Sequence, residues 1–315
     1  NTISLNYCNT HTHVLGTKVM RNPSPRRNKL LFSCLSGKRF CEGSHKSNIP
    51  LNDGNIDQAE RLFLRGFREQ KRGDIDSAIS YYQESLMIEE DHFKSHFHLG
   101  VIFLERKSLI SALHHLKQVI EITPSYHPAY YNLGCIFFEQ KDMPNSLKYF
   151  QQAVSLNDCD ALSWNNLGIV LRETGDLQGS VVALLKAIKV DSSFELAYYN
   201  LANTCFDLKW HDEAIACFCY LLKMKPDHAD AWFNLGVAYQ ETGNNEKALS
   251  CYETVTSIDP INIPEAKEEI IKLKKQLYSN VVGRKIKVLN KKKQDKPSSL
   301  ILFSDVMGFG WNWQW

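Results

Sequence analysis

The sequence predicts an all-α fold, a right-handed α-α superhelical solenoid of six helical hairpins with a capping helix at its C-terminal end. Three observations carry that prediction. Small residues recur every 34 residues, apolar side chains within each period fall three and four apart, and glycine or proline stands where a helix must stop. A fixed period of this length marks an architecture in which each unit buries its apolar face only against its neighbours.

The period is set by Gly66, Gly100, Gly134, Gly168, Ala202 and Gly236, with a second small residue twelve places later at Ala78, Ala112, Ser146, Ser180, Ala214 and Ala248. With the first small residue at position 8, the units are 59–92, 93–126, 127–160, 161–194, 195–228 and 229–262. The apolar spacing predicts a first helix over positions 1 to 14 and a second over 17 to 30. Small residues at 8 and 20 let the two antiparallel helices approach, and bulky residues at 11 and 24 fill the space beside that contact. Gly73, Gly175 and Gly243 at position 15 suit a left-handed helix end. Pro124, Pro226 and Pro260 at position 32 prevent the second helix from continuing.

Outside the units the pattern changes. Residues 263–279 read as one amphipathic helix, with Pro264 at its start, glutamates early and lysines late, and cap the array. Residues 1–55, rich in Asn, Ser, Lys and Arg without periodicity, read as a disordered basic segment. Residues 280–315 read as a flexible tail, first basic and then aromatic. The chain begins with Asn1, so a processed or incomplete chain is expected.

Charge is unevenly distributed. Residues 1–55 carry eight Lys/Arg against two acids and residues 281–315 seven against two, which leaves 22 basic and 31 acidic side chains between them. A folded part with net charge −9 is a poor nucleic-acid binder, so nucleic acid is expected only weakly through the basic tails. No stretch is long and apolar enough to span a bilayer, and no secretory signal opens the chain, so no membrane insertion is expected. Nine cysteines, mostly at helical positions, read as buried thiols of a reducing compartment. The expectation is a cytoplasmic protein, with a basic run at 284–296 of nuclear-import composition.

The repeated residues resemble the tetratricopeptide repeat family. The marks are a bulky residue at position 4 (Tyr130, Trp164, Tyr198, Trp232), Leu-Gly at 7 and 8, Ala at 20, Ala at 27 (Ala153, Ala187) and Pro at 32. They recur over residues 59–262, with Glu69 a departure in the first unit. The resemblance implies a scaffold whose first helices line a concave groove that binds an extended peptide or partner protein. On those helices position 6 reads His98, Asn132, Asn166, Asn200 and Asn234, an amide ladder suited to gripping a peptide backbone. Position 5 adds Phe97, Tyr131, Tyr199 and Phe233 for apolar contact, and Asn203 stands at position 9. The competing reading has the asparagines satisfying the fold itself.

The ladder also makes these units similar to the superhelical arm of the O-linked N-acetylglucosamine transferase. The alternative function is therefore the substrate-recognition arm of a larger enzyme, such as a glycosyltransferase, of which this chain is a fragment. Nothing resembling a catalytic half follows Leu277. Acids at position 13 (Glu105, Glu139, Glu173, Asp207, Glu241) favour neutral or basic ligands, and the absence of Lys at position 5 argues against a clamp for chaperone tails. No catalytic set, cofactor motif or metal spacing stands out, including in HFKSHFH at 92–98, so no enzyme activity, cofactor, metal or small-molecule substrate is expected.

Overall fold

The structure, a computed structural model, describes residues 57–294 apart from Asn262. The 1–55 segment with its PSPRR and Cys/His stretches, and the aromatic end of the tail, lie outside the described residues. The first three units contribute α1 (Gln58–Arg72), α2 (Ile75–Ile88), α3 (Phe93–Glu105), α4 (Leu109–Ile122), α5 (His127–Glu139) and α6 (Met143–Leu156). The next three contribute α7 (Ala161–Glu173), α8 (Leu177–Val190), α9 (Glu195–Asp207), α10 (His211–Met224), α11 (Ala229–Glu241) and α12 (Asn245–Ile258), and α13 (Pro264–Gln294) closes the series. Each helix packs on its neighbours in the chain. The first helices of successive units also touch one another, α3 with α5, α7 with α9 and α9 with α11. Those contacts put the first helices on the inner side of the stack.

Within a hairpin the two helices approach at the small residues of positions 8 and 20, and the large residue at 24 lies across that contact. A methyl group built on Gly168 would sit 2.6 Å from Leu184 Cγ, and one on Gly236 would sit 2.7 Å from the Tyr252 ring. The clearance at position 8 is filled by the large side chain at position 24, while position 20 brings its backbone up beside it: Ala78 O would stand 3.1 Å from a methyl built on Gly66, and Ser180 O 3.3 Å from one on Gly168. Ala78, Ala112, Ala214 and Ala248 are fully buried, and Ser146 Oγ donates to the Gly134 carbonyl at 3.0 Å. The residues at 24 (Tyr82, Leu116, Phe150, Leu184, Phe218, Tyr252) are all buried, none more than 1% exposed.

Position 15 obeys one rule by two chemistries. Gly73, Gly175 and Gly243 have φ of 90°, 89° and 77°, as the left-handed end requires. In units 2, 3 and 5 the same place is held by Lys107, Lys141 and Lys209, with φ of 60°, 59° and 66°. The second helix then restarts on a side-chain cap. Asp74, Asp142, Asp176 and Asn244 each accept from the backbone N–H three residues on.

The last helix does not stop at 279. It continues to Gln294, so residues 280–294 are helical where a flexible tail is expected. Helix α13 packs on α12 through Ala266 and Leu273, while Ile271, Tyr278, Val281, Ile286 and Val288 remain exposed. Its run of helix-favouring Lys, Glu, Gln and Leu carries it past the array.

Two predictions follow from the hairpin geometry. Lys107→Gly, Lys141→Gly and Lys209→Gly each relieve a left-handed lysine, so each raises stability by about 1 kcal/mol in chemical denaturation. Gly168→Val forces a branched side chain into Leu184 and lowers stability by about 1–3 kcal/mol. An unchanged denaturation midpoint in Gly168→Val would contradict the packing described here.

Candidate functional site

The ten residues expected to line the groove lie on the inner helices α3, α5, α7, α9 and α11, and all ten are buried. His98, at 8% exposed, is the most accessible of them. The amide ladder is therefore not an open set of donors, and the reason is visible in its bonds. Asn166 Nδ2 donates to the Tyr131 hydroxyl at 3.1 Å, and Asn234 Nδ2 to the Tyr199 hydroxyl at 3.0 Å. Asn200 Nδ2 donates to Asn165 Oδ1 at 2.9 Å. Each of these partners stands 35 residues back, at position 5 of the preceding unit. Asn234 also donates to Asn203 Oδ1 at 3.0 Å.

The first asparagine of the series differs. Position 5 of its preceding unit is Phe97, which offers no acceptor. Asn132 Nδ2 instead donates to the Pro128 carbonyl one turn back, at 2.8 Å, and Asn132 Oδ1 is buried without a hydrogen-bond partner among the described residues.

The aromatics at position 5 face inward as well. Tyr131 meets Phe150 edge-on at 5.8 Å, Tyr199 meets Phe218 at 6.0 Å, and Phe233 tilts against Tyr252 at 5.3 Å. They wedge between a unit's own position 24 and the next unit, a packing role in place of the expected open apolar contact.

The three histidines of HFKSHFH go to three different places. His92 caps α3 and bonds Glu60 Oε2 across the unit boundary at 2.9 Å. His96 Nδ1 meets His115 Nδ1 at 2.9 Å. His98 Nδ1 meets Gln70 Oε1 at 2.9 Å and lies against the rings of Phe63, Phe67 and Tyr82. Burial alone lowers the His98 imidazole to about 4. His115 is lowered to about 4 by burial, with His96 and His114 adding to the effect. The Glu60 carboxyl is held at about 2, chiefly by its bond to His92 and also by Lys94.

Two linkages have weak signals in the sequence. The first is the pairing of position 6 with position 5 of the unit before, legible only as a 35-residue offset between asparagine and a hydrogen-bonding residue. The second joins position 4 to the carbonyl at position 32 of the preceding unit. Trp164 Nε1 donates to Asp158 O at 2.8 Å, Trp232 Nε1 to Pro226 O at 2.8 Å, and the Tyr130 hydroxyl to Pro124 O at 3.0 Å. A polar tip on a bulky ring is what such a position requires.

Residues 127–158, 161–194, 196–228 and 229–262 match family models described as tetratricopeptide repeat. Residues 127–262 are tetratricopeptide repeats. An Arabidopsis thaliana relative, the chloroplastic tetratricopeptide repeat domain-containing protein PYG7, is 35% identical over 77 residues, which is 24% of this chain and 26% of that protein. The chain thus matches about a quarter of that relative's length.

Among solved structures, YrrB, a tetratricopeptide repeat protein with an unusual peptide-binding site, aligns with a TM-score of 0.54. It is 21% identical and covers 62% of this chain and 97% of its own. PilW, a type IV pilus biogenesis factor, aligns with a TM-score of 0.58 at 16% identity, covering 69% of this chain and 99% of its own. PilF of Pseudomonas aeruginosa gives 0.58 at 14% identity, over 69% and 97%. Likeness at these identities establishes the shared solenoid fold of the repeat array. Among the described residues no helix is long and apolar enough to cross a membrane.

The histidines make the first two repeats pH-sensitive. Below pH 6.5 the unfolded chain takes up protons that His98 and His115 refuse until about pH 4 in the native state. Native stability therefore falls as pH drops through that window, and the Glu60 contribution, present above pH 4.5, is lost further down toward pH 2. The thermal midpoint should drop by several degrees between pH 7.5 and pH 5 and drop less in His98→Gln.

Proposed function

We propose that this repeat array is a protein-interaction scaffold whose inner face holds an extended peptide segment of a partner. Asn132, Asn166, Asn200 and Asn234, with the aromatics at position 5 and with His98 and Asn203, lie buried beneath that groove and hold its shape. The observation that carries the reading is Asn132 Oδ1, a buried acceptor on the inner helix α5 with no partner among the described residues. A peptide N–H laid along the inner helices satisfies it once the Asn132 side chain turns outward, relieving an unpaired buried acceptor that costs about 1–3 kcal/mol. The other ladder amides already hold the floor rigid, so the ligand meets a preorganised surface.

Ligand charge follows from the groove's margin. Glu139, Glu173 and Glu241 end their first helices as exposed side chains. Together with the acidic excess of the folded part, they favour neutral or basic segments.

The test is a peptide array of basic, neutral and acidic extended segments bound to the full chain. Basic and neutral peptides should bind, and the triple variant Glu139→Lys, Glu173→Lys, Glu241→Lys should weaken the basic ones at least tenfold while leaving the thermal midpoint near that of the parent. Asn132→Ala should weaken all binders severalfold. Equal retention of acidic peptides by parent and triple variant would reject the groove as the site.

A further inference from the structure

The space between positions 4, 11 and 23 is filled differently from one repeat to the next. In the second repeat the His115 ring at position 23 sits between His96 at position 4 and Phe103 at position 11. Its centroid is 5.1 Å from His96 and 5.6 Å from Phe103, stacked within 8° on the latter. The third repeat has the same arrangement, with Tyr149 6.4 Å from Tyr130 and 5.3 Å from Phe137, stacked within 1°. The sixth repeat keeps both outer rings as Trp232 and Tyr239 but carries Cys251 at position 23. Among the described residues no ring packs on Trp232 or Tyr239.

A pocket of about 390 Å³ opens where that middle ring would stand, walled by Trp232, Tyr239, Cys251, Cys219, Leu222 and Leu235. This is the size of a ligand pocket, and its walls are apolar or aromatic. The thiol at its base stays neutral, because burial and the neighbouring Cys219 push Cys251 up to about 12.

Two cations border the opening. Lys223 and Lys247 line the pocket and are exposed, and neither is in an ion pair among the described residues. Lys247 Nζ lies 5.3 Å from the centroid of the Tyr239 ring. Both stand in a folded part where acids outnumber bases 31 to 22, so the local sign is opposite to that of the body around them. The site is separate from the inner groove. On α11, Trp232, Leu235 and Tyr239 share one face by their spacing, whereas Asn234 reaches back to Tyr199 and Asn203 on α9.

We propose that the pocket between the fifth and sixth repeats takes an aromatic side chain of an acidic peptide segment. The incoming ring replaces the missing position-23 ring between Trp232 and Tyr239, and carboxylates beside it in the peptide meet Lys223 and Lys247. The ring requirement comes from two walls on which no ring packs among the described residues, and the acidic requirement from two lysines outside any ion pair among those residues.

The experiment uses the full chain and a fluorescein-labelled hexapeptide with one tryptophan among five acidic residues, read by anisotropy. Saturable binding should weaken at least tenfold when the peptide tryptophan becomes alanine or its flanks become lysine. Cys251→Tyr, which rebuilds the filling seen at Tyr149, should abolish binding at unchanged helicity. Lys223→Glu with Lys247→Glu should weaken binding at least tenfold. These lysines are exposed, so this pair decides the matter should the cavity-filling variant misfold. The proposal is overturned by absence of saturation up to roughly 1 mM peptide, or by undiminished binding to the lysine variant. Tighter binding of a peptide of residues 309–315 would also overturn it, by giving the pocket to the chain's own tryptophans.

Discussion

The contact on which the rest of the structure depends is a bare backbone methylene lying under a large side chain of the same hairpin. Gly168 beneath Leu184 and Gly236 beneath Tyr252 leave no room for a methyl without displacement, so the pair sets how near two antiparallel helices come. With that distance fixed, position 5 of the first helix reaches the same large residue from the other side. Tyr131 against Phe150 follows over Gly134, and Tyr199 meets Phe218 in the same way although Ala202 stands at position 8 of that unit. The hydroxyls of those tyrosines are thereby held where the next unit's asparagine arrives. Stacking thus propagates from a local steric fit, as expected for an architecture whose units contact only their neighbours.

Much of this was legible in the sequence because it is periodic. Helix limits, the hairpin turn and the left-handed position follow from the 34-residue spacing together with glycine and proline chemistry, and the identity of the inner helices from the resemblance to the tetratricopeptide repeat family. What sequence reasoning missed lies in side-chain partners across unit boundaries. Asn166 and Asn234 look like free amides until the tyrosine 35 residues back is placed beside them. The left-handed lysines were also hidden. Nothing about Lys107 as a residue type announces φ of 60°; only its alignment with Gly73 does. The length of α13 was underestimated for a different reason. Its lysine-rich second half lacks the amphipathic pattern that marks burial, and helix propensity alone continues it.

The candidate site has the same mixture. The residues expected to line the groove do lie on the first helices of their units, but buried, where open side chains are expected from the sequence. Burial of the amides makes them structural partners first, which is why Asn132, with its acceptor unused, stands apart from the three that follow it. On the other side of α11 the logic is reversed. There position 23 changes along the array, from rings at His115 and Tyr149 to Ala183, Cys217 and Cys251, and at Cys251 the change leaves a space with two aromatic walls. In a repeat protein the departures from the period are therefore as informative as the period itself.

The mismatch of Phe97 with Asn132 has a mechanical consequence. Downstream of it, each joint between inner helices carries an amide bond from one repeat to the next, whereas between α3 and α5 no such bond from position 6 to position 5 is present among the described residues. That joint is held instead by side-chain packing and by the Tyr130 hydroxyl on the Pro124 carbonyl, so the load that three later joints share between amide and ring falls there on the rings.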